Sequence, residues 1–257
     1  MRVIVTRPQH EARHWVEQLQ SVGFDALALP LIEVAAATDS EPVLQAWQNI
    51  HHFDAVMLVS GHAVDHFFAL KPIGLHVSAR FWVTGPGSYA ALTQRGGVAA
   101  NCIDVPNMDA GQFDSETLWS IVSMQVQAGT KVLIVRGAGR NANGALGVGR
   151  DWLAQHIAQA GGCVTEVVAY QRLCPAFDEQ QLALISGSAT DGSVWLFSSS
   201  EALENLKASF PVQQWQQVNA VVTHPRIGLA ASNAGFGRVL ESRPVLSDVI
   251  ACLHTLQ

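Results

Sequence analysis

Charge is scarce in this chain. Only 14% of its 257 residues are charged, and Lys+Arg 15 against Asp+Glu 21 leaves a formal net charge of −6. A surface built to follow nucleic acid or an anionic membrane has the opposite balance, so neither partner is expected, and an anionic ligand must find its positive groups locally. Long apolar runs are also missing. None approaches the roughly 18 residues that a membrane helix requires. Met1-Arg2-Val3-Ile4-Val5 goes straight into a strand-like run, and the expected compartment is the cytoplasm. Cysteine is confined to Cys102, Cys163, Cys174 and Cys252 without a CxxC pair, which argues against a disulfide framework or a zinc knuckle and for buried reduced thiols. There is no G-x-S-x-G elbow and no P-loop.

Apolar residues are abundant at 49%, enough at this length to fill two cores. The chain also repeats itself. Val194-Trp195-Leu196-Phe197 enters Ser198-Ser199-Ser200-Glu201, and a second run ends Val221-Val222-Thr223-His224-Pro225. The earlier copy reads Val56-Met57-Leu58 into Val59-Ser60-Gly61-His62, then Phe81-Trp82-Val83 into Thr84-Gly85-Pro86. Ser60 and Ser199, Thr84 and Thr223, Pro86 and Pro225, and Gly96 and Gly235 all stand 139 positions apart.

A second unit type occurs twice as well. Val3-Ile4-Val5-Thr6, closed by Arg7-Pro8, predicts a buried strand, then a helix with Trp15, Val16 and Leu19 on one face, Gly23 as its stop, and a strand over 24–31. Lys131 to Gly137, a helix over about 149–159, Gly161-Gly162 and a strand over 164–169 repeat that crossover, with Tyr170-Gln171-Arg172 ending it. The units follow one another in interrupted order. The simplest assembly is α/β: two similar doubly wound, parallel-sheet, flavodoxin-like domains. One is discontinuous (residues 1–35 and 173–257), and the other (36–172) is inserted into it. Two linkers, near 33–39 and 170–175, would join them, with the site in the cleft.

Two motifs compete for the function. Gly85-Pro86-Gly87-Ser88-Tyr89-Ala90 fits G-x-G-x-x-A after a strand, with Asp104 19 residues beyond Gly85, as a dinucleotide fingerprint asks. Pro86 stiffens that turn, however, and the later copy has no such glycines. His10-Glu11-Ala12-Arg13-His14 fits the zinc pattern H-E-x-x-H, but at a helix's first turn and without an evident third ligand. His62 and His66 share the same spacing, which ten histidines produce by chance. What remains is a set of hydroxyl-rich turns where strands give way to helices: Ser60, Thr84 with Ser88, Ser198-Ser199-Ser200, and Thr223. Each alone reads as a helix cap. Together, at the carboxyl ends of parallel strands, they present free amides suited to an anion. Arg7, Arg136, Arg140 and Arg226 lie at the same ends and fit a carboxylate or phosphate ligand.

At these residues the sequence resembles the uroporphyrinogen-III synthase family. The resemblance lies in Val5-Thr6-Arg7-Pro8, Ser60-Gly61-His62-Ala63-Val64, Val83-Thr84-Gly85, the Lys131 to Gly137 strand with Arg140, Ala169-Tyr170-Gln171-Arg172, and Ser198-Ser199-Ser200-Glu201-Ala202. It implies an enzyme, a lyase of porphyrin and heme biosynthesis. Such an enzyme closes hydroxymethylbilane to uroporphyrinogen III with loss of water and inversion of ring D, through a spiro intermediate. It implies no cofactor and no metal, and a substrate bearing eight carboxylates held between the domains; nothing in the sequence demands more than a monomer. The family's tyrosine falls on Tyr170, as a general acid for the departing hydroxyl, and its substrate contacts on Ser60, Ser88, Ser198, Ser199, Ser200 and Thr223. His62 stands where the family often has asparagine, and Ile227 where it often has threonine. The alternatives are a cytosolic two-domain sensor of a small anion and a dinucleotide-dependent oxidoreductase.

Overall fold

The computed structural model describes residues 1–107, 113–139 and 148–256, leaving aside the side chains of 148–151. The chain opens with β1 (Arg2–Val5), α1 (Gln9–Ser21) and β2 (Asp25–Ala28). It continues through β3 (Glu33–Ala36), α2 (Glu41–Gln48), β4 (Ala55–Leu58), α3 (Gly61–Phe68), β5 (Arg80–Val83), α4 (Pro86–Gln94), β6 (Ile103–Asp104), α5 (Ser115–Val122), β7 (Lys131–Ala138), α6 (Val148–Gln159) and β8 (Cys163–Leu173). The last stretch holds α7 (Glu179–Ser188), β9 (Val194–Phe197), α8 (Ser200–Ser209), β10 (Asn219–Val222), α9 (Pro225–Asn233), β11 (Arg238–Glu241) and α10 (Leu246–His254). The fold divides into two compact units, Met1–Glu33 with Leu173–Gln257, and Val34–Arg172. Among the described residues no helix is long and apolar enough to cross a membrane.

In the first unit the strand order is β11-β10-β9-β1-β2, and every pair is parallel. Helices cover both faces of such a sheet, so its strands lack polar alternation: Val3, Ile4 and Val5, and all of β9, are buried. Numbered by connectivity this order is 2-1-3-4-5, the flavodoxin-like arrangement, and its topological switch point lies between β1 and β9. Thr6 marks the place where these strands part. Its amide and its Oγ1 both donate to the Leu196 carbonyl, at 3.3 and 2.8 Å.

The second unit has the order β3-β8-β7-β4-β5-β6. With β7, β8, β4, β5 and β6 put in place of β1, β2, β9, β10 and β11, the arrangement is the same. It is a circular permutation with β3 added outside β8, and the switch point falls between β4 and β7. The 139-residue offset holds from the start of β4 to that of β9, from β5 to β10, and from α4 to α9. It fails at one landmark. The glycines in the left-handed conformation after α4 and α9 are Gly97 (φ 64°) and Gly235 (φ 92°), so Gly96 is not the counterpart of Gly235.

Three expected boundaries move. The strand expected over 24–31 stops at Ala28 because Pro30 has no amide to donate, and only Leu29 and Leu31 continue the bonding, to Val5 and Thr6. The stretch read as a linker near 33–39 contains β3, and Tyr170-Gln171-Arg172 lies inside β8 instead of ending it. Thus the two crossings of the chain between units occur at strand termini.

One buried amide ties α8 to the segment after β2. Asn205 is 2% exposed and its Nδ2 donates to the carbonyl of Leu31 at 2.8 Å. Asn205→Ala strands that carbonyl and should cost about 1–3 kcal/mol, read as a lower urea midpoint. An unmoved midpoint would show that the carbonyl has another donor.

Candidate active site

The carboxyl edge of the second unit brings together residues far apart in sequence. Ser60 caps α3, its Oγ accepting the amide of Ala63 at 3.1 Å. The same Oγ lies 3.0 Å from the hydroxyl of Tyr170 on β8, either atom able to donate. Between β8 and β4 runs β7, so the phenol has to cross a whole strand to make that contact. It does so at Gly137, its register partner. The Tyr170 ring is 2% exposed, and two imidazoles of α3 approach it. His66 lies nearly parallel, at 18° and 5.8 Å between centroids, and His62 is tilted at 5.9 Å. Their i, i+4 spacing puts both on one helical face. Burial lowers the His66 pKa below the ordinary histidine value, the charge of His62 lowers it further, and Asp65 opposes both. Its surroundings therefore favour the neutral ring over the cation.

Arg136, on β7, is not a free cation: its Nε stands 2.8 Å from Glu166 Oε2. Ser88 is at the third position of α4 and almost wholly buried. Arg140 lies outside the described residues. Asp104, offered as a ribose acceptor in the dinucleotide alternative, takes both Nε and Nη2 of Arg80, at 2.6 and 2.7 Å. That occupies the carboxylate which the fingerprint would need.

The first unit repeats the pattern without the tyrosine. Ser199 caps α8, its Oγ accepting the Glu201 amide at 3.2 Å, while Ser198 precedes it and Ser200 begins the helix. The Ser200 Oγ is buried with no hydrogen-bond partner among the described residues. Thr223 follows β10, and its amide donates to Phe197 O. Arg226, in the first turn of α9, is exposed, and its amide donates to His224 Nδ1 at 3.1 Å, which puts that imidazole's acceptor nitrogen at Nδ1. Arg7 is largely enclosed. Its Nη1 meets Glu11 Oε2 at 3.0 Å and its guanidinium lies 4.2 Å over the Trp15 ring. His10 and His14 of the H-E-x-x-H stretch are exposed on α1.

Comparison with known proteins identifies the family. The family model for uroporphyrinogen-III synthase HemD matches residues 13–251. The chain belongs to the uroporphyrinogen-III synthase family. A uroporphyrinogen-III synthase of Proteus mirabilis is 26% identical over 185 residues, covering 72% of this chain and 86% of that protein. One of Synechococcus elongatus is 24% identical over 207 residues, covering 79% and 72%. Among solved structures, a mutant uroporphyrinogen III synthase of Thermus thermophilus aligns over 100% of this chain and 98% of its own, with TM-score 0.58 and 14% identity. The Helicobacter pylori enzyme aligns over 100% of both, with TM-score 0.57 and 13% identity. At these identities the structural likeness concerns the fold, a two-domain α/β fold with parallel sheets.

Membership in the synthase family makes the chain an enzyme of the lyase class that works in porphyrin biosynthesis. The sensor and oxidoreductase readings are not favoured. Sequence reasoning named Ser60, His62 and Tyr170 as separate candidates and missed His66 and Gly137. The only signal for His66 was its spacing from His62, and nothing local pointed to a tyrosine 104 residues further on.

Proposed function

We infer that this synthase closes hydroxymethylbilane to uroporphyrinogen III with Tyr170 as the general acid. The bilane loses its terminal hydroxyl as water, and a hydroxyl leaves readily only when it takes a proton as the bond breaks. The contact that carries this reading is the 3.0 Å approach of the Tyr170 hydroxyl to Ser60 Oγ at the carboxyl edge of a parallel sheet. Ser60 already accepts an amide at 3.1 Å, so its own proton is free to point at Tyr170, and the phenol proton is left for a substrate. Each unit taken by itself offers an anionic substrate first-turn amides that follow the carboxyl ends of strands, those of α3 and α4 in one and those of α8 and α9 in the other. Ser88, Ser198, Ser199, Ser200 and Thr223 would add hydroxyls, and Arg226 its charge. Arg7 and Arg136, already paired with Glu11 and Glu166, would act by exchanging or sharing those partners.

The bilane closes unaided to the type I isomer, without inverting ring D. The enzyme's work is therefore to favour the spiro intermediate by pose and electrostatics, and a sparse site is enough for that. We read the synthase as a cytoplasmic monomer needing no cofactor; its four cysteines are free, as in a reducing compartment, though none is buried as expected and Cys163 is exposed. The test is to mix purified protein with fresh hydroxymethylbilane, oxidise, and resolve the porphyrin isomers. Type III should dominate, and a product equal to the unaided type I mixture would reject the reading.

A further inference from the structure

The Tyr170 ring rests on the one residue of β7 that leaves room for it. A Cβ built on Gly137 would fall 2.4 Å from Tyr170 Cζ, 2.5 Å from Cε2 and 2.9 Å from Cε1. Contacts under 3 Å with a rigid ring cannot be relieved by a small torsion, so any other residue displaces the phenol. The register supports this: β7 and β8 slip between Arg136 and Gly137, and the slip brings Gly137 opposite Tyr170. On the helix side, the His66 ring lies nearly parallel to the phenol. It offers the phenol a flat face there, in offset stacking.

We propose that Gly137 and His66 are positioning residues for the reaction, the glycine opening a passage across β7 and the stacked imidazole steadying the phenol, so that the Tyr170 hydroxyl is held on Ser60. This rests on Tyr170 as the acid, and neither residue need touch the substrate. The argument is one of distance. The phenol has one rigid length, and lifting its ring off the strand carries the hydroxyl away from Ser60 Oγ. Displacements of that size cost catalysis without a comparable loss of binding.

The chain has 2 tyrosines, Tyr89 and Tyr170, so protein labelled with 3-fluorotyrosine gives a pair of fluorine resonances that Tyr89→Phe assigns. In Gly137→Ala the Tyr170 resonance should move toward that of exposed fluorotyrosine. Its kcat should fall by about tenfold to a hundredfold with KM changed less than about twofold, and the type III share of product should drop. Gly187→Ala, at a helical glycine with nothing within 4 Å of the added carbon, should change none of these. His66→Ala should lower kcat, and His66→Phe, which restores a flat ring, should recover most of it. If Gly137→Ala does not fold, the His66 pair decides the matter: equal rates for the alanine and phenylalanine variants overturn the proposal. A slow Tyr170→Phe beside a Gly137→Ala with wild-type kcat and resonance overturns the slot and leaves Tyr170 as the acid. A fully active Tyr170→Phe removes both.

Discussion

Tyr170→Phe should form type III porphyrinogen about a hundredfold more slowly than the parent while staying folded. General acid catalysis by a positioned side chain contributes about 10²–10⁴-fold, and the substitution deletes that proton while keeping the ring. The structural cost is small because Ser60 Oγ keeps the amide of Ala63 and, being only half-buried, can turn its proton to water. One hydrogen bond is worth about 1 kcal/mol net, and the phenylalanine still fills the space over Gly137. Activity and stability should therefore separate: a large loss of kcat, with a urea midpoint close to the parent's. Ser60→Ala gives the converse comparison. It removes the cap of α3, worth about 1 kcal/mol, together with the phenol's partner, so both quantities should fall. A folded Tyr170→Phe within twofold of the parent rate would take the tyrosine out of the chemistry.

What the sequence made legible follows from which forces act locally. Buried parallel strands betray themselves as unbroken apolar runs, so Val3-Ile4-Val5, Val56-Met57-Leu58 and Val194-Trp195-Leu196-Phe197 could be placed within a residue or so. Caps are local too, and Ser60 and Ser199 both accept amides as their position predicts. The two-domain α/β fold was legible because the same plan occurs twice at a fixed offset. Strand ends set by a partner strand were not. β8 runs on through Tyr170 because β7 and β3 flank it, and no residue in Tyr170-Gln171-Arg172 announces that. The weakly patterned α7 also went unread, as did α10, although Val249 and Leu253 bury its apolar face.

The site was legible as types of residue and not as contacts. That Arg136 is paired with Glu166 and Arg7 with Glu11 depends on register and on helix phase, so counting arginines at strand ends overstated the free positive charge. The approach of Tyr170 to Ser60 depends on what β7 lacks at one position. An absent side chain matters only once its neighbours are known, and Gly137 therefore read as an ordinary end of a strand.

Trp195→Ala should be the most damaging single change in the first unit, costing about 3–5 kcal/mol, a large share of the 5–15 kcal/mol that holds a typical domain together. The indole is fully buried on β9, edge-on to Trp215 at 5.2 Å and within 6 Å of Phe197, while Trp215 stacks on Phe236 at 10°. Trp195→Phe should behave quite differently. The Trp195 Nε1 is buried with no hydrogen-bond partner among the described residues, so the native state bears a desolvated donor that phenylalanine relieves. That relief, about 1–3 kcal/mol, offsets much of the packing lost with the smaller ring. Trp47, on α2 in the second unit, is the control. It is equally buried and stacked on Phe67 at 4.2 Å, but its Nε1 donates to the Phe67 carbonyl at 2.8 Å. There phenylalanine loses packing and a hydrogen bond together. Urea unfolding should therefore rank Trp47→Phe as more costly than Trp195→Phe by about 1 kcal/mol or more. Equal costs would mean that the Trp195 indole has an acceptor after all.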